Sequence, residues 1–372
     1  MIQIHSSASL QLLADQCAEN VNNRGLEDPF TPHTILVPNL DSARWLRLKL
    51  TERNGILANS EFMLPAEWLW KQVRKLHPGL PKMLASDRGP LKWSLYQLLS
   101  DEQTNQKFPV LYRYIASQKE VSRDQALYQL SGKLASLFDE YLIYRPEMVN
   151  RWERGADGSG DEKWQAELWR TLIQFWSTEL GAASPQNRAH LFIETEHALK
   201  RAEIRPEPSI MVFNTGLMPS VILRSLQHCG SHSDVRFYIV EPSKELKSPE
   251  NQVFRSYGED ARNIAKLYSS VVGERKKLHS DIFNPDSLGN IQRSIFLDES
   301  VPKANPNDDL ASVQIRSCHS RLREIEVLHD FLLEQFEKDS TLAPDDIAVV
   351  TPNPEKYKSF VDAVFNHKEE GL

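Results

Sequence analysis

The chain has 372 residues, of which 40% are hydrophobic and 26% charged, with a formal net charge of −7. This is ordinary for a globular protein of two or three domains, and it argues against a general nucleic-acid binder while leaving room for a local basic groove. Three widely spaced cysteines argue against a disulfide framework or structural metal, and without a secretion signal or an apolar run of ~18 residues we expect a cytoplasmic protein with no membrane span.

The start of the chain has the pattern of a parallel α/β unit. Ile2–His5 predicts a strand, and apolar residues at helical spacing from Leu10 to Val21 predict a helix. Thr34–Val37 predicts a second buried strand, after which Asp41 is expected to cap a helix that stops at Gly55. The order is therefore strand, helix, strand, helix.

Residues 65–180 are predicted to be helical throughout. Seven of the eight tryptophans lie here, which is typical of a core of small packed helices. We expect one all-helical subdomain inserted into the α/β core. The periodic segments are PAEWLWKQVRKL, GPLKWSLYQLL, FPVLYRYIAS, RDQALYQLSGKLASLFDEYLIYR and EKWQAELWRTLIQFWSTEL.

The α/β pattern returns with the helix RAHLFIETEHALKRAEI, the strand Ser209–Phe213, the helix Pro219–Cys229 and the strand Val235–Val240. Residues 1–64 and 181–300 are therefore expected to form one α/β domain with a parallel sheet. The polar stretch 280–309, rich in Pro and Asn, predicts a linker or long loop.

The remaining residues predict two strands and two helices. The strands are Val313–Arg316 and Asp346–Val350, and the helices are RLREIEVLHDFLLEQFE and PEKYKSFVDAVFNHK. This is too little for a self-sufficient α/β domain. We therefore expect residues 301–372 to be a linker and the truncated start of a second α/β core, cut from a longer protein.

An α/β core with a helical insertion, a linker and a second α/β unit is the layout of a superfamily 1 helicase motor. Such a motor needs glycines and a lysine on its first loop for the phosphates, and an acidic pair after a central strand for Mg²⁺. Here the first loop is HSSASL, and the strand SIMVF runs into NTGLMP without an Asp or Glu. The predicted fold class is α/β with an inactive helicase-like P-loop core, and we expect neither a nucleotide cofactor nor a catalytic residue.

Four blocks in chain order, ILVPNLDSARWLRLKL, LPAEWLWKQV, LASLFDEYLIYRP and CHSRLREIEVLHDFLL, resemble the RecC family, the gamma subunits of exodeoxyribonuclease V. The resemblance implies a non-catalytic subunit of an ATP-dependent exonuclease and helicase that acts in double-strand break repair by recombination. Its implied partners are a helicase-nuclease (beta) subunit, a helicase (alpha) subunit, and single-stranded and forked DNA. The implied role is to scan the unwound 3′-ended strand for the Chi sequence.

In two predicted helices, the period of 3.6 residues distinguishes positions that face the core from positions that do not. From Pro65, Trp68 shares the core face, whereas Trp70 lies off it and either packs on a neighbouring element or stacks on a base. In the helix from Asp124, Ser136 and Asp139 lie opposite the apolar stripe. They form either a solvated face or a functional pair, in which Asp139 accepts from a base amino group or orients an arginine.

The resemblance places the Chi-recognition surface in this part of the chain. Ser136 stands where an acidic residue is expected and Arg44 where an amide is expected, which leaves open the octamer that is recognised. A working helicase is disfavoured by the first loop, and a purely structural subunit that positions its partners without recognising sequence is an open alternative. The matching positions are Arg44, Leu64, Trp70, Ser136, Leu137, Asp139, Arg145 and Arg188.

Overall fold

The structure, a computed structural model, describes residues 1–22, 30–118, 120–181, 186–278, 283–301 and 312–366. The strands are β1 (Ile2–Ser7), β2 (His33–Leu36), β3 (Ser60–Met63), β4 (Ser209–Phe213), β5 (Asp234–Val240) and β6 (Glu274–Lys277). The helices are α1 (Leu10–Asn22), α2 (Leu40–Asn54), α3 (Pro65–Leu76), α4 (Arg88–Ser100), α5 (Glu102–Gln106), α6 (Pro109–Ser117), α7 (Arg123–Tyr144), α8 (Pro146–Glu153), α9 (Asp161–Leu180), α10 (Arg188–Lys200), α11 (Ser220–Cys229), α12 (Gln252–Tyr257), α13 (Glu259–Ser269), α14 (Ser287–Leu297), α15 (Arg321–Lys338) and α16 (Lys358–Phe365).

The six strands form one parallel sheet in the order β3-β2-β4-β5-β1-β6. The predicted α/β class with a parallel sheet is confirmed. Strands β3 and β6 were not predicted, because SEFM and ERKK are only four residues long and each carries charged side chains. They form the two edges, where charged side chains are tolerated and protect against further pairing.

The sheet is covered on both faces, as buried parallel strands require. Alternate residues of β4 point to opposite sides, so Ile210 and Val212 pack with α3, α10 and α11, whereas Met211 and Phe213 pack with α1 and α2.

The N-terminal cap of α2 was predicted at Asp41, and this prediction is wrong. The cap is Asn39, whose Oδ1 accepts from the backbone N–H of Ser42 at 2.8 Å and so satisfies a free donor of the first turn.

Helices α3 to α9 lie between β3 and β4 in the chain, and the described residues of 65–180 contain no strand, as predicted. Tryptophans and leucines build a separate core here. Trp169 contacts Phe138 at 5.4 Å and Trp176 at 5.8 Å between ring centroids. The indole N–H of Trp169 donates to Glu153 at 2.8 Å, which satisfies a polar group that burial would otherwise leave without water.

The end of the chain differs from its prediction. The expected linker 280–309 contains α14, and its residues 280–282 and 302–309 lie outside the described part. The predicted strands Val313–Arg316 and Asp346–Val350 are wrong, because neither forms a strand and a β-strand requires a paired neighbour for its backbone groups. Contacts divide the chain into residues 1–283 with 292–302, and residues 284–291 with 303–372.

Within the described ranges, no helix combines the length and apolarity that crossing a bilayer requires.

His5 gives a test of the sheet. Its ring stacks on Tyr238 at 5.1 Å and is only 2% exposed, and burial, assisted by Lys276 and Arg236, lowers the pKa of His5 from 6.5 to about 4. Between pH 6.5 and about pH 4, His5 takes up a proton in the unfolded chain but not in the folded one. The free energy of unfolding therefore falls as the pH falls from 6.5 to about 4, and His5 has no such effect above pH 6.5. We expect His5→Phe to remove this loss, about 1.4 kcal/mol per pH unit.

The measurement is urea unfolding of the wild type and of His5→Phe at about pH 7 and about pH 5. Parallel stability curves for the two proteins would contradict the assignment.

Candidate nucleic-acid interface

Arg188, the first residue of α10, is held by two carboxylates from the helical block. Its Nη1 donates to Asp139 Oδ1 on α7 at 2.7 Å. Its Nε and Nη2 donate to Oδ1 of Asp87, which precedes α4, at 3.2 and 2.9 Å. We call Arg188, Asp87 and Asp139 the arginine cluster. It connects three helices through one guanidinium.

The arginine cluster is half-buried, with 19% to 23% of each side chain exposed. Burial raises the pKa of Asp139 above its ordinary value, while the positive charges of Arg188 and Arg88 oppose that shift. The alternative of a solvated face is wrong for Asp139. Its contact is the one expected of a carboxylate that orients an arginine.

The sequence analysis did not identify Asp87 as a partner of Arg188. Its position before an Arg-Gly-Pro helix start suggests only a helix cap, yet its side chain makes no cap hydrogen bond to α4. Instead, Oδ2 accepts from the backbone N–H of Leu84 at 2.9 Å while Oδ1 binds Arg188. No local pattern marks this role, because the partners are separated by 101 residues.

Trp70 reaches the same helix by another contact. Its ring is partly buried and meets Phe192 edge-on, with centroids 5.3 Å apart. Phe192 lies four residues after Arg188, on the same side of α10. Trp68 is fully buried, and its indole N–H donates to Glu207 at 3.0 Å, as expected of a core tryptophan. Trp70 therefore packs on a neighbouring element with part of its ring exposed.

Leu64 and Arg44 lie at the carboxyl edge of the sheet. Leu64 follows β3, and its backbone N–H donates to Glu67 at 2.9 Å at the start of α3. Arg44 is exposed on α2, which follows the neighbouring strand β2. Within the described residues, no hydrogen bond or ion pair joins either one to the arginine cluster.

The other predicted residues lie along and after α7. Ser136 Oγ donates to the carbonyl of Gly132 at 3.0 Å, and Leu137 is partly buried at the edge of the apolar stripe. Arg145 caps the C-terminus of α7 and is exposed, with its guanidinium carbon 5.8 Å from the centre of the Tyr141 ring. The arrangement joins Asp139 and Arg188 directly, whereas Arg145 is outside that contact.

The loop after β1, where a motor would hold phosphates, is closed by its own serines. Ser7 Oγ accepts from the backbone N–H of Ser9 at 3.1 Å, and Ser9 Oγ accepts from that of Leu12 at 3.3 Å. The helix N-terminus thus uses side chains of the chain itself where a phosphate would bind. The cavity beside Ser6–Ala8 measures only about 20 Å³, which is room for about one water molecule.

The loop after β4 carries no carboxylate. Asn214 adopts a φ of 44°, and its N–H donates to the carbonyl of Tyr238 at 2.8 Å. Thr215 Oγ1 lies 2.9 Å from the hydroxyl of Tyr268. Within the part of the chain that the structure describes, no group of three or more His, Cys, Asp or Glu side chains could hold a metal ion.

Together these features define an α/β protein with a helical block between its third and fourth strands. The chain matches the family described as "RecC, N-terminal domain" over residues 2–293. It is 30% identical over 98% of its length to the RecBCD enzyme subunit RecC of Escherichia coli (strain K12), and 27% identical over 92% to that of Haemophilus influenzae. The chain belongs to the RecC family and spans 38% and 37% of the length of these two relatives.

Trp68 and Trp70 differ enough in burial to be distinguished by stability. Trp68→Ala removes a fully buried side chain and one of the donors to Glu207, which keeps its hydrogen bonds from Gln72 and Lys75, so we expect the free energy of unfolding to fall by roughly 3–5 kcal/mol. Trp70→Ala should cost less, because part of the ring is exposed and its main ring contact is Phe192. Urea unfolding of both variants checks this. Equal losses would place Trp70 in the core.

Proposed function

We propose that this chain is the helicase-like part of a RecC subunit that has lost ATP chemistry and scans the unwound 3′-ended strand for Chi. The observation that carries the proposal is the arginine cluster, with Trp70 packed against the same helix. The wider role is that of a scaffold in an exodeoxyribonuclease V complex, between helicase-nuclease and helicase subunits. The relatives, named as RecBCD enzyme subunits, support this assignment.

The helicase-like description is supported by topology. The loops after β1 and β4 open at the same edge of the sheet, with β5 between the two strands. A nucleotide would lie at that edge, against the N-terminus of α1. We propose residues 1–64 and 181–300 as the α/β core, 65–180 as its helical insertion and 301–372 as a linker with the start of a second core.

The arginine cluster is suited to recognition rather than to catalysis. A guanidinium has five N–H donors, and Arg188 directs three of them to Asp87 and Asp139, which leaves two for a ligand. Two donors in a fixed orientation suit the O6 and N7 acceptors of guanine, or a phosphate. Arg145 is exposed and supplies a second set of N–H donors. Single-stranded DNA in the cytoplasm is the proposed ligand.

A purely structural subunit is the second candidate. The same three-helix contact of Arg188 would support it, because an arginine shared by two carboxylates also holds helices together. The two candidates differ in what happens when Arg188 is removed from an assembled enzyme.

Arg188→Ala should weaken the response to Chi while unwinding of Chi-free DNA continues. Loss of a bidentate base contact is worth ~1–3 kcal/mol, so crosslinking to a Chi-containing strand should fall by a factor of about five or more, relative to a Chi-free strand. The matched control is Arg170→Ala, since Arg170 is also half-buried and binds Asp157 at 2.7 Å within the helical block. If both variants lost stability alike and both kept the Chi response, the structural candidate would be correct.

The chain should neither bind nor hydrolyse ATP. Calorimetry with Mg²⁺-ATP should show no binding, because the cavity after β1 is too small and the loop after β4 offers no carboxylate for the metal. Micromolar binding that is abolished by substitutions at Ser6 to Ser9 would overturn this expectation.

A further inference from the structure

A basic cleft of about 660 Å³ lies between α4 and α7. Arg88 and Lys92 contribute from α4, and Lys133 contributes from α7. No Asp or Glu is among the residues that line it, and within the described residues none of the three cations has a carboxylate within ion-pair distance. In a chain with a net charge of −7, these three cations are a local concentration of positive charge.

The two lysines of the cleft contact aromatic residues. Lys92 Nζ lies 3.3 Å from the centre of the Tyr128 ring, and its aliphatic stem passes over Gly132, where an added Cβ would contact it at 3.5 Å. Lys133 Nζ lies 3.3 Å from the hydroxyl of Tyr114. A lysine restrained by a ring loses less freedom on binding an anion than a free surface lysine does.

An exposed aromatic group continues the cleft. Trp93 is 58% exposed although it lies on a helix with a well-filled core, and its ring is 5.7 Å from that of Tyr128 and 5.9 Å from that of Tyr96. Exposed aromatic rings beside backbone-binding cations are the pattern of single-strand binding, in which bases stack and phosphates are neutralised.

We infer that the α4/α7 cleft binds single-stranded polynucleotide without sequence preference, with phosphates at Arg88, Lys92 and Lys133 and a base stacked on Trp93. The identity of the occupant rests on the proposed function. Two links tie the cleft to the arginine cluster: Arg88 directly follows Asp87, and Ser136, on the turn before Asp139, lines the cleft. The cleft therefore extends the strand path beyond the residues proposed to recognise Chi.

An acidic protein surface is the competing occupant. The cations alone would suit it equally well, but the exposed ring of Trp93 gives a strand a stacking platform that a carboxylate-rich protein surface does not use. Arg88 and Lys92 are also spaced by one helical turn, about 6 Å along the axis, which places two phosphates of one extended strand within reach.

The test measures binding of a labelled oligo(dT) strand, which contains no Chi, to this chain by fluorescence anisotropy at several salt concentrations. Lys92→Ala with Lys133→Ala should weaken binding roughly tenfold or more at low salt and make the slope of log K against log salt shallower by about 1.4, since each phosphate on a single strand contributes about 0.7. Trp93→Ala should weaken binding about fivefold or more, and Trp93→Phe should restore most of it.

The matched control is Lys163→Ala with Lys200→Ala, which removes the same charge from exposed helix positions outside the cleft. It should change the affinity by less than about twofold. Unchanged melting curves will show that the variants are folded, since all the substituted side chains reach the surface.

The inference is overturned if the cleft variant binds oligo(dT) like the wild type, if the wild type does not bind at low salt, or if the cleft variant loses only association with partner subunits. Arg188→Ala, in contrast, should leave oligo(dT) binding within about twofold. Loss of the Chi response with normal cleft binding, or the reverse, therefore separates failure of this inference from failure of the proposed function.

Discussion

The structure depends on one constraint, which is that a parallel sheet must be covered on both faces. The apolar residues of β4 alternate between two cores, and the helices that cover one of these faces include α3 and α10. Phe192 buries α10 against this core, and Arg188 lies one turn earlier on the same helix. The arginine is thus placed by a rigid element whose position is set by hydrophobic burial. The proposed recognition chemistry follows from that placement.

The turn between β1 and α1 is closed by local hydrogen bonds. A helix N-terminus has free N–H groups that attract anions. In this chain Ser9 caps α1, and little space is left beside Ser6–Ala8. The short serine loop therefore keeps the strand-to-helix turn of the fold while filling the place that a phosphate would need.

Charge is distributed unevenly over the helical block. Arg188 is shared between two carboxylates and is oriented by them, whereas Arg88, Lys92 and Lys133 face a cleft without a lining carboxylate. The first arrangement favours geometric selection of a ligand, and the second favours attraction of a polyanion. Their adjacency along α4 and α7 is the basis of the path that we propose for a polyanionic strand on this acidic chain.

The sequence by itself determined the local structure. Hydrophobic spacing indicated the strand at Ile2–His5 and the helical block, and a short continuous apolar run indicated the buried strand Ser209–Phe213. Alternating apolar residues also predicted a strand at Val313–Arg316, which does not form, since a strand exists only when it pairs with a neighbouring strand. Only the tertiary structure decided that Asp87 binds Arg188, that Trp70 packs on Phe192 and that Lys92 faces a cleft. These are contacts between distant segments, set by how helices pack and not by any local pattern.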